Sequence, residues 1–189
     1  MYVKNQYYNE VSIEKAVEES FQLGKTSYSY FHKSLSAVPE YRTVILTCMD
    51  CRLLSESFGI SKPGKTIFIR TAGALFTKDT LRSLLIAIYE LKTEFVAIVG
   101  HNDCGGKMSE SKMNLLIKKI SQTTQLKEKR ILEILHTNSA SEEFLGFDDE
   151  KKQILETVTA VKRHPLIPKN IMVSGYLYDH SNGKISKLL

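Results

Sequence analysis

Two short segments, Cys48-Met49-Asp50-Cys51-Arg52 and His101-Asn102-Asp103-Cys104-Gly105-Gly106, hold the residue types that could do chemistry together. Two thiolates and one imidazole suit zinc, which takes such ligands tetrahedrally; three protein ligands leave a fourth position for water. Soft thiolates disfavour magnesium or calcium. His101 and Cys104 have the close spacing of ligands from one loop, and Cys48 comes from a second segment. The reading is a catalytic zinc site held by Cys48, His101 and Cys104, with one ion per subunit.

A rival set adds Cys51. Cys48 and Cys51 form a C-x-x-C and, with His101 and Cys104, would close a Cys3His site that cannot activate water. Period-two alternation argues against it: if Cys48 points to the metal, Asp50 shares that direction and Cys51 turns away. A thioredoxin-like redox pair is disfavoured, because it would need neither His101 nor Cys104. Asp50 and Arg52 stand two residues apart, and an arginine can clamp a carboxylate with two charge-assisted hydrogen bonds. Such a clamp would hold Asp50 ionised and aimed at the metal; the bland reading is a surface ion pair. Asp103 reads equally as an outer-layer orienter or an exposed loop acid. Gly105-Gly106 suits a tight turn or a close backbone approach. His32, His136, His164 and His180 each stand alone in polar or helix-end context and read as surface residues, one of which could relay protons.

Positioning these groups is work for strand ends. Val44-Ile45-Leu46 precedes the first segment and Phe95-Val96-Ala97-Ile98-Val99 the second, and both read as buried parallel strands. Ligand sites in open α/β sheets form at carboxyl ends of strands, where strand order reverses. Strands are expected at 43–47, 66–70, 95–99 and 171–178. Asp179 to Gly183 reads as a turn, with Asn182-Gly183 suited to a hairpin-like reversal. Helices are expected from Asp79 as N-cap, over 109–135 and over 148–163, with a loop through Thr137-Asn138-Ser139-Ala140-Ser141. Residues 12–35 read as a helical arm whose aromatics, Phe21, Tyr28, Tyr30 and Phe31, exceed what a lone cap needs and could pack on a second subunit. The expected fold is a single α/β domain over 1–189: four parallel strands and a C-terminal edge strand, flanked by helices, with an N-terminal arm over 1–38.

Composition sets the wider bounds. The chain has 189 residues, 42% hydrophobic and 25% charged, enough for one full core. Lys and Arg exceed Asp and Glu by 26 − 21 = 5. The basic run from Lys118 to Arg130 lacks interleaved aromatics and reads as a solvated helix face, so no nucleic-acid partner is expected. No apolar stretch is long enough for a bilayer, and Met1 to Gln6 lacks the apolar core of a signal peptide. The expectation is a cytoplasmic protein with no membrane partner.

At these residues the chain resembles the beta-class carbonic anhydrases, which carry Cys-x-Asp-x-Arg after one strand and His-x-x-Cys after another. The matches are Cys48, Asp50, Arg52, His101 and Cys104. Arg70-Thr71-Ala72-Gly73-Ala74, the stretch Leu81 to Gly105, and His164 to Pro168 followed by Val173 to Asp179 extend the likeness over about residues 40 to 185. The resemblance implies zinc-dependent hydration of carbon dioxide to bicarbonate, a homodimer or higher oligomer, and a catalytic Asp50–Arg52 pair in which Asp50 can itself bind zinc at rest. It also leads to the expectation that the backbone at Gly73 meets a substrate oxygen. Cys51, Thr71 and Gly106 depart from the residues common in the family. Two alternatives accompany this reading: a hydrolase of a sulfur analogue, carbonyl sulfide or carbon disulfide, on the same zinc site, or a non-catalytic Cys3His zinc or redox sensor.

Overall fold

The computed structural model describes residues 35–60 and 62–189, together with 17, 18 and 21. The chain falls into two compact units, Met1–Ser36 and Ala37–Leu189. Of the expected arm, Val17, Glu18 and Phe21 are helical and exposed and residues 35–38 are non-helical; its other residues lie outside the described residues.

The second unit is an α/β domain on a five-stranded sheet. Its strands are β1 (Thr43–Cys48), β2 (Ile67–Thr71), β3 (Phe95–His101), β4 (Met172–Asp179) and β5 (Lys184–Lys187). The order is β2-β1-β3-β4-β5. The first four are parallel, and β5 is an antiparallel edge. β1 and β3 are central and buried on both faces, which is why they read as continuous apolar runs rather than alternating ones. The turn between β4 and β5 contains Gly183 at φ 70, the reversal expected from Asn182-Gly183.

The helices are α1 (Lys78–Tyr89), α2 (Glu110–Thr124), α3 (Glu128–Leu135), α4 (Ala140–Phe144) and α5 (Glu150–Arg163). Leu84 and Ile88 of α1 and Ile154, Val158 and Val161 of α5 pack with Val44, Leu46, Val96 and Ile98 into the main core. α5 sits close to the sheet because Gly100 and Gly175 carry no side chain: a Cβ on either would come within 3.0 Å of Ile154. Among the described residues, no helix is long and apolar enough to cross a membrane.

Three expectations change. The N-cap of α1 is Thr77, not Asp79: Thr77 and Thr80 exchange hydrogen bonds with each other's backbone, and Asp79 falls in the first turn. The helix expected over 109–135 is two helices, parted at Gln125 in left-handed conformation. The fold-back returns Ile131 to a small core with Met113 and Ile117. A straight helix would carry Ile131 about 21 Å beyond Ile117. The loop expected at 137–141 gives way to α4, because Ser139 caps its start by accepting from Glu142 N–H.

Candidate metal centre

Strand order reverses between β1 and β3: the chain runs from β1 outward to β2, then crosses back to β3 on the other side. The loops leaving β1 and β3 diverge there and open a crevice at their carboxyl ends. Cys48 ends β1 and His101 ends β3, so they flank that crevice, and the turn after β3 brings in Cys104. The ligand atoms of Cys48, His101 and Cys104 lie within 4.8 Å of one another, all three residues are buried, and together they could hold a metal ion. The two sulfurs are 3.7 Å apart.

The imidazole is set to face this group. His101 Nδ1 lies 2.8 Å from the Asn102 carbonyl oxygen and 3.0 Å from His180 Nε2. His101 Nε2 is buried and has no hydrogen-bond partner. A buried, unpartnered ring nitrogen is costly unless something takes its lone pair. With Nδ1 donating its proton toward the Asn102 carbonyl, Nε2 keeps a free lone pair, the pattern expected of a metal-ligating histidine. The donor set and this orphaned atom fit zinc.

Electrostatics follow from crowding. The Cys104 hydrogen bond pulls the Cys48 thiol well down against the cost of burial, with help from His101 and the Asp50 and Gly73 amides. Cys104, donating to Cys48 and buried, is pushed well up. Burial opposes a charge on His101, but the nearby Cys48 sulfur, the Asn102 carbonyl and Asp50 outweigh it and raise its pKa. Such ligands release protons when a cation binds.

Asp50 is held three ways. Its Oδ1 accepts from the Arg52 backbone N–H at 2.9 Å, a side-chain turn that locks the local chain, and from Arg52 Nε at 2.9 Å. Its Oδ2 accepts from Arg52 Nη2 at 2.7 Å and lies 3.8 Å from His101 Nε2. The Arg52 hydrogen bond, outweighing desolvation, holds the Asp50 carboxyl far below the usual carboxylate range. Arg52 also donates to Asp103, from Nη1 to Oδ2 at 2.8 Å and from Nη2 to the carbonyl at 2.9 Å. Asp103, left open between two readings, thus ties the loop after β3 to the loop after β1 while staying exposed. Cys51 is exposed, lies in the turn after β1 and stands outside the metal group.

Gly73, expected near a substrate oxygen, gives its N–H to Cys48 Sγ at 3.4 Å, so that donor is directed at sulfur. Thr71, the register partner of Cys48, has a buried hydroxyl with no hydrogen-bond partner. Sequence reasoning missed two neighbours. His180, read as a surface residue, contacts His101; its backbone N–H donates to Asn102 Oδ1 at 2.9 Å, and Asn102 in turn donates to Asp179. The signal available was its position directly after β4, at the same sheet end. Phe147, with Leu53, Phe58 and Tyr178, packs on the two buried cysteines and supplies an apolar wall. A cavity of about 490 Å³ beside Cys104 is lined by Asp103, Lys107, Lys112, Phe147 and Asp148, among others.

Comparisons place this geometry. The sequence model of the carbonic anhydrase family matches residues 43–185. YtiB of Bacillus subtilis, provisionally named a carbonic anhydrase, is 33% identical over 161 residues, covering 82% of this chain and 84% of that protein. A carbon disulfide hydrolase of Acidithiobacillus thiooxidans is 30% identical over 151 residues, covering 75% and 70%. Among solved structures, beta-carbonic anhydrase isoform I of Trichomonas vaginalis superposes with a TM-score of 0.81 at 27% identity, covering 95% of this chain and 98% of that one. The chain belongs to the beta-carbonic anhydrase family. The expected fold class is borne out with it.

Proposed function

We propose that this chain binds one zinc ion through Cys48, His101 and Cys104 and hydrates carbon dioxide reversibly to bicarbonate and a proton. The observation that carries the proposal is the convergence of two thiols and an unpartnered imidazole nitrogen at the switch point of the sheet. When bound, zinc supplies the Lewis acidity that makes water a nucleophile near neutral pH. The protein's own groups do the rest. Asp50, kept ionised, accepts a hydrogen bond from the attacking oxygen species and orients it. Arg52 holds both Asp50 oxygens and, through Asp103, fixes the two ligand loops relative to each other. In this arrangement both Asp50 oxygens are engaged by Arg52, so the ion would be held by Cys48, His101 and Cys104 without Asp50. The wall of Leu53, Phe58, Phe147 and Tyr178 suits an uncharged linear substrate and limits competing water. The Gly73 backbone contributes by holding Cys48.

The catalytic unit is a domain of residues 1–189 whose arm, 1–38, packs on a second subunit of a homodimer or larger assembly in the cytoplasm. One relative favours a second reading: the 30%-identical carbon disulfide hydrolase raises hydrolysis of a sulfur analogue on the same site. The test is stopped-flow CO2 hydration on zinc-loaded protein, beside carbon disulfide and carbonyl sulfide consumption under the same conditions. Fast CO2 turnover supports the proposal, and sulfur-substrate turnover without it supports the second reading. Stoichiometric zinc with neither activity would overturn both.

A further inference from the structure

We infer that Phe147 is a positioning residue for the two sulfur ligands: its ring holds Gly73 against Gly106, and so holds the two backbone N–H groups that hydrogen-bond Cys48 and Cys104. This rests on the reading that both cysteines bind the metal, and adds what controls the charge on their sulfurs.

Gly73 N–H donates to Cys48 Sγ and Gly106 N–H to Cys104 Sγ, both at 3.4 Å. The two donors belong to different loops, one after β2 and one after β3. In space they touch. A Cβ on Gly106 would lie 3.1 Å from the Gly73 N and Cα and 3.4 Å from Phe147 Cε1. A Cβ on Gly73 would lie 2.7 Å from Phe147 Cε1. The ring edge therefore fills the place a side chain at 73 would take, and the Gly73 backbone fills the place of a side chain at 106. Gly73 also has φ 70, so glycine is required there both for space and for backbone conformation.

Phe147 is itself held from outside the site. It lies in the linker between α4 and α5, and Gly146 before it donates to Met113 Sδ at 3.3 Å. A Cβ on Gly146 would meet the Met108 carbonyl oxygen at 2.3 Å, so the linker is seated directly on the segment that follows Cys104. A chain of contacts thus runs from α2 through Gly146 and Phe147 to both glycines and both sulfurs. A hydrogen bond to a ligating thiolate draws charge from sulfur and weakens its donation to the metal, and such outer partners tune a site as ligands do. Fixing two such bonds with one ring sets both sulfurs together.

Cobalt(II) in place of zinc reports this directly, through the near-ultraviolet thiolate-to-cobalt charge-transfer band. Phe147→Ala removes the ring, Gly106→Ala drives Gly73 away, and Phe147→Tyr keeps the ring. The expected result is a shift of the band to longer wavelength in Phe147→Ala and Gly106→Ala at full cobalt loading, with Phe147→Tyr at the wild-type position. Phe147→Leu should shift less in the same direction, and decides the matter if the first two fail to fold. Unshifted bands in the loaded variants, or an equal shift in Phe147→Ala and Phe147→Tyr, overturn the inference. Wild-type protein that binds cobalt with no thiolate band overturns instead the reading of the cysteines as ligands.

Discussion

One added methyl group at Gly100 should destabilise the protein by about 1–3 kcal/mol while leaving the proposed metal ligands in place. A Cβ there would stand 2.7 Å from both Cδ1 and Cγ1 of Ile154. Carbon atoms in contact prefer roughly 3.5–4.0 Å, so the shortfall is about 1 Å at two atoms. Ile154 is fully buried and has no free direction to turn: Gly175 closes on its Cγ2, with a 2.9 Å approach for a Cβ on that side. Either Ile154 leaves its rotamer, at about 0.5–1.5 kcal/mol, or α5 lifts from the sheet and loses packing. The ordinary gain from replacing glycine in a strand, roughly 0.5–1 kcal/mol, offsets only part. Ile154→Ala removes both obstructing atoms and alone costs about 2–5 kcal/mol. In the double variant the new methyl fills part of that space, so the pair should cost less than the sum by about 1 kcal/mol or more. Urea unfolding of the four proteins measures the cycle, and zinc analysis checks that His101, the next residue, keeps its place. Additivity within about 0.5 kcal/mol, or a Gly100→Ala protein as stable as the parent, would refute the close helix–sheet packing argued here.

Other outcomes follow from the site. Cys48→Ser, His101→Ala and Cys104→Ser should each lose stoichiometric zinc by elemental analysis, whereas Cys51→Ser keeps it; zinc loss in Cys51→Ser would overturn the three-ligand reading. Asp50→Asn should keep zinc but lower kcat/KM for CO2 by about 10²–10⁴-fold, and a variant at the wild-type plateau sinks the acceptor role. Because the Asp50 pKa is depressed on folding, its pairing with Arg52 stabilises the protein above the unfolded carboxylate value, about 3.9, and that contribution is lost as pH falls toward the lower folded value. Asp50→Asn should therefore flatten acid unfolding below about pH 4, followed by circular dichroism, and leave any activity limb near neutrality in position. His180→Ala should weaken zinc affinity by about tenfold, since His101 keeps its bond to the Asn102 carbonyl; a chelator competition assay reads this, and unchanged affinity removes His180 from the site. Sedimentation at micromolar concentration should give a dimer or larger, and an active monomer defeats the assembly proposed for the arm.

The sheet was legible because its information is local. Val44 to Leu46 and Phe95 to Val99 are short, β-branched-rich unbroken apolar runs bounded by polar residues and glycine, the pattern a strand buried on both faces calls for. The same holds for Cys48, Asp50, Arg52, His101 and Cys104, whose chemistry follows from side-chain type and from standing just after such a run. Cys51 is exposed, as expected, but it lies in the turn after β1 rather than on an alternating strand. Where competing signals were equally local, the reading slipped: Thr77 took the cap from Asp79 because Thr80 could reciprocate.

Residue types and periods thus determined the class of fold, the three residues that could hold a metal ion and the Asp50–Arg52 pair. Tertiary structure alone decided the rest. Periodicity is the same for one long helix and for two folded halves, so only the small core that unites Met113, Ile117 and Ile131 breaks 109–135 at Gln125. His180 and Phe147 stand 79 and about 46 residues from His101 in sequence and carry no motif. They reach the site because β4 ends beside β3 and because Gly146 seats its linker on Met108. Contacts between residues far apart in the chain depend on how whole elements pack, and no local pattern of residue types encodes that distance.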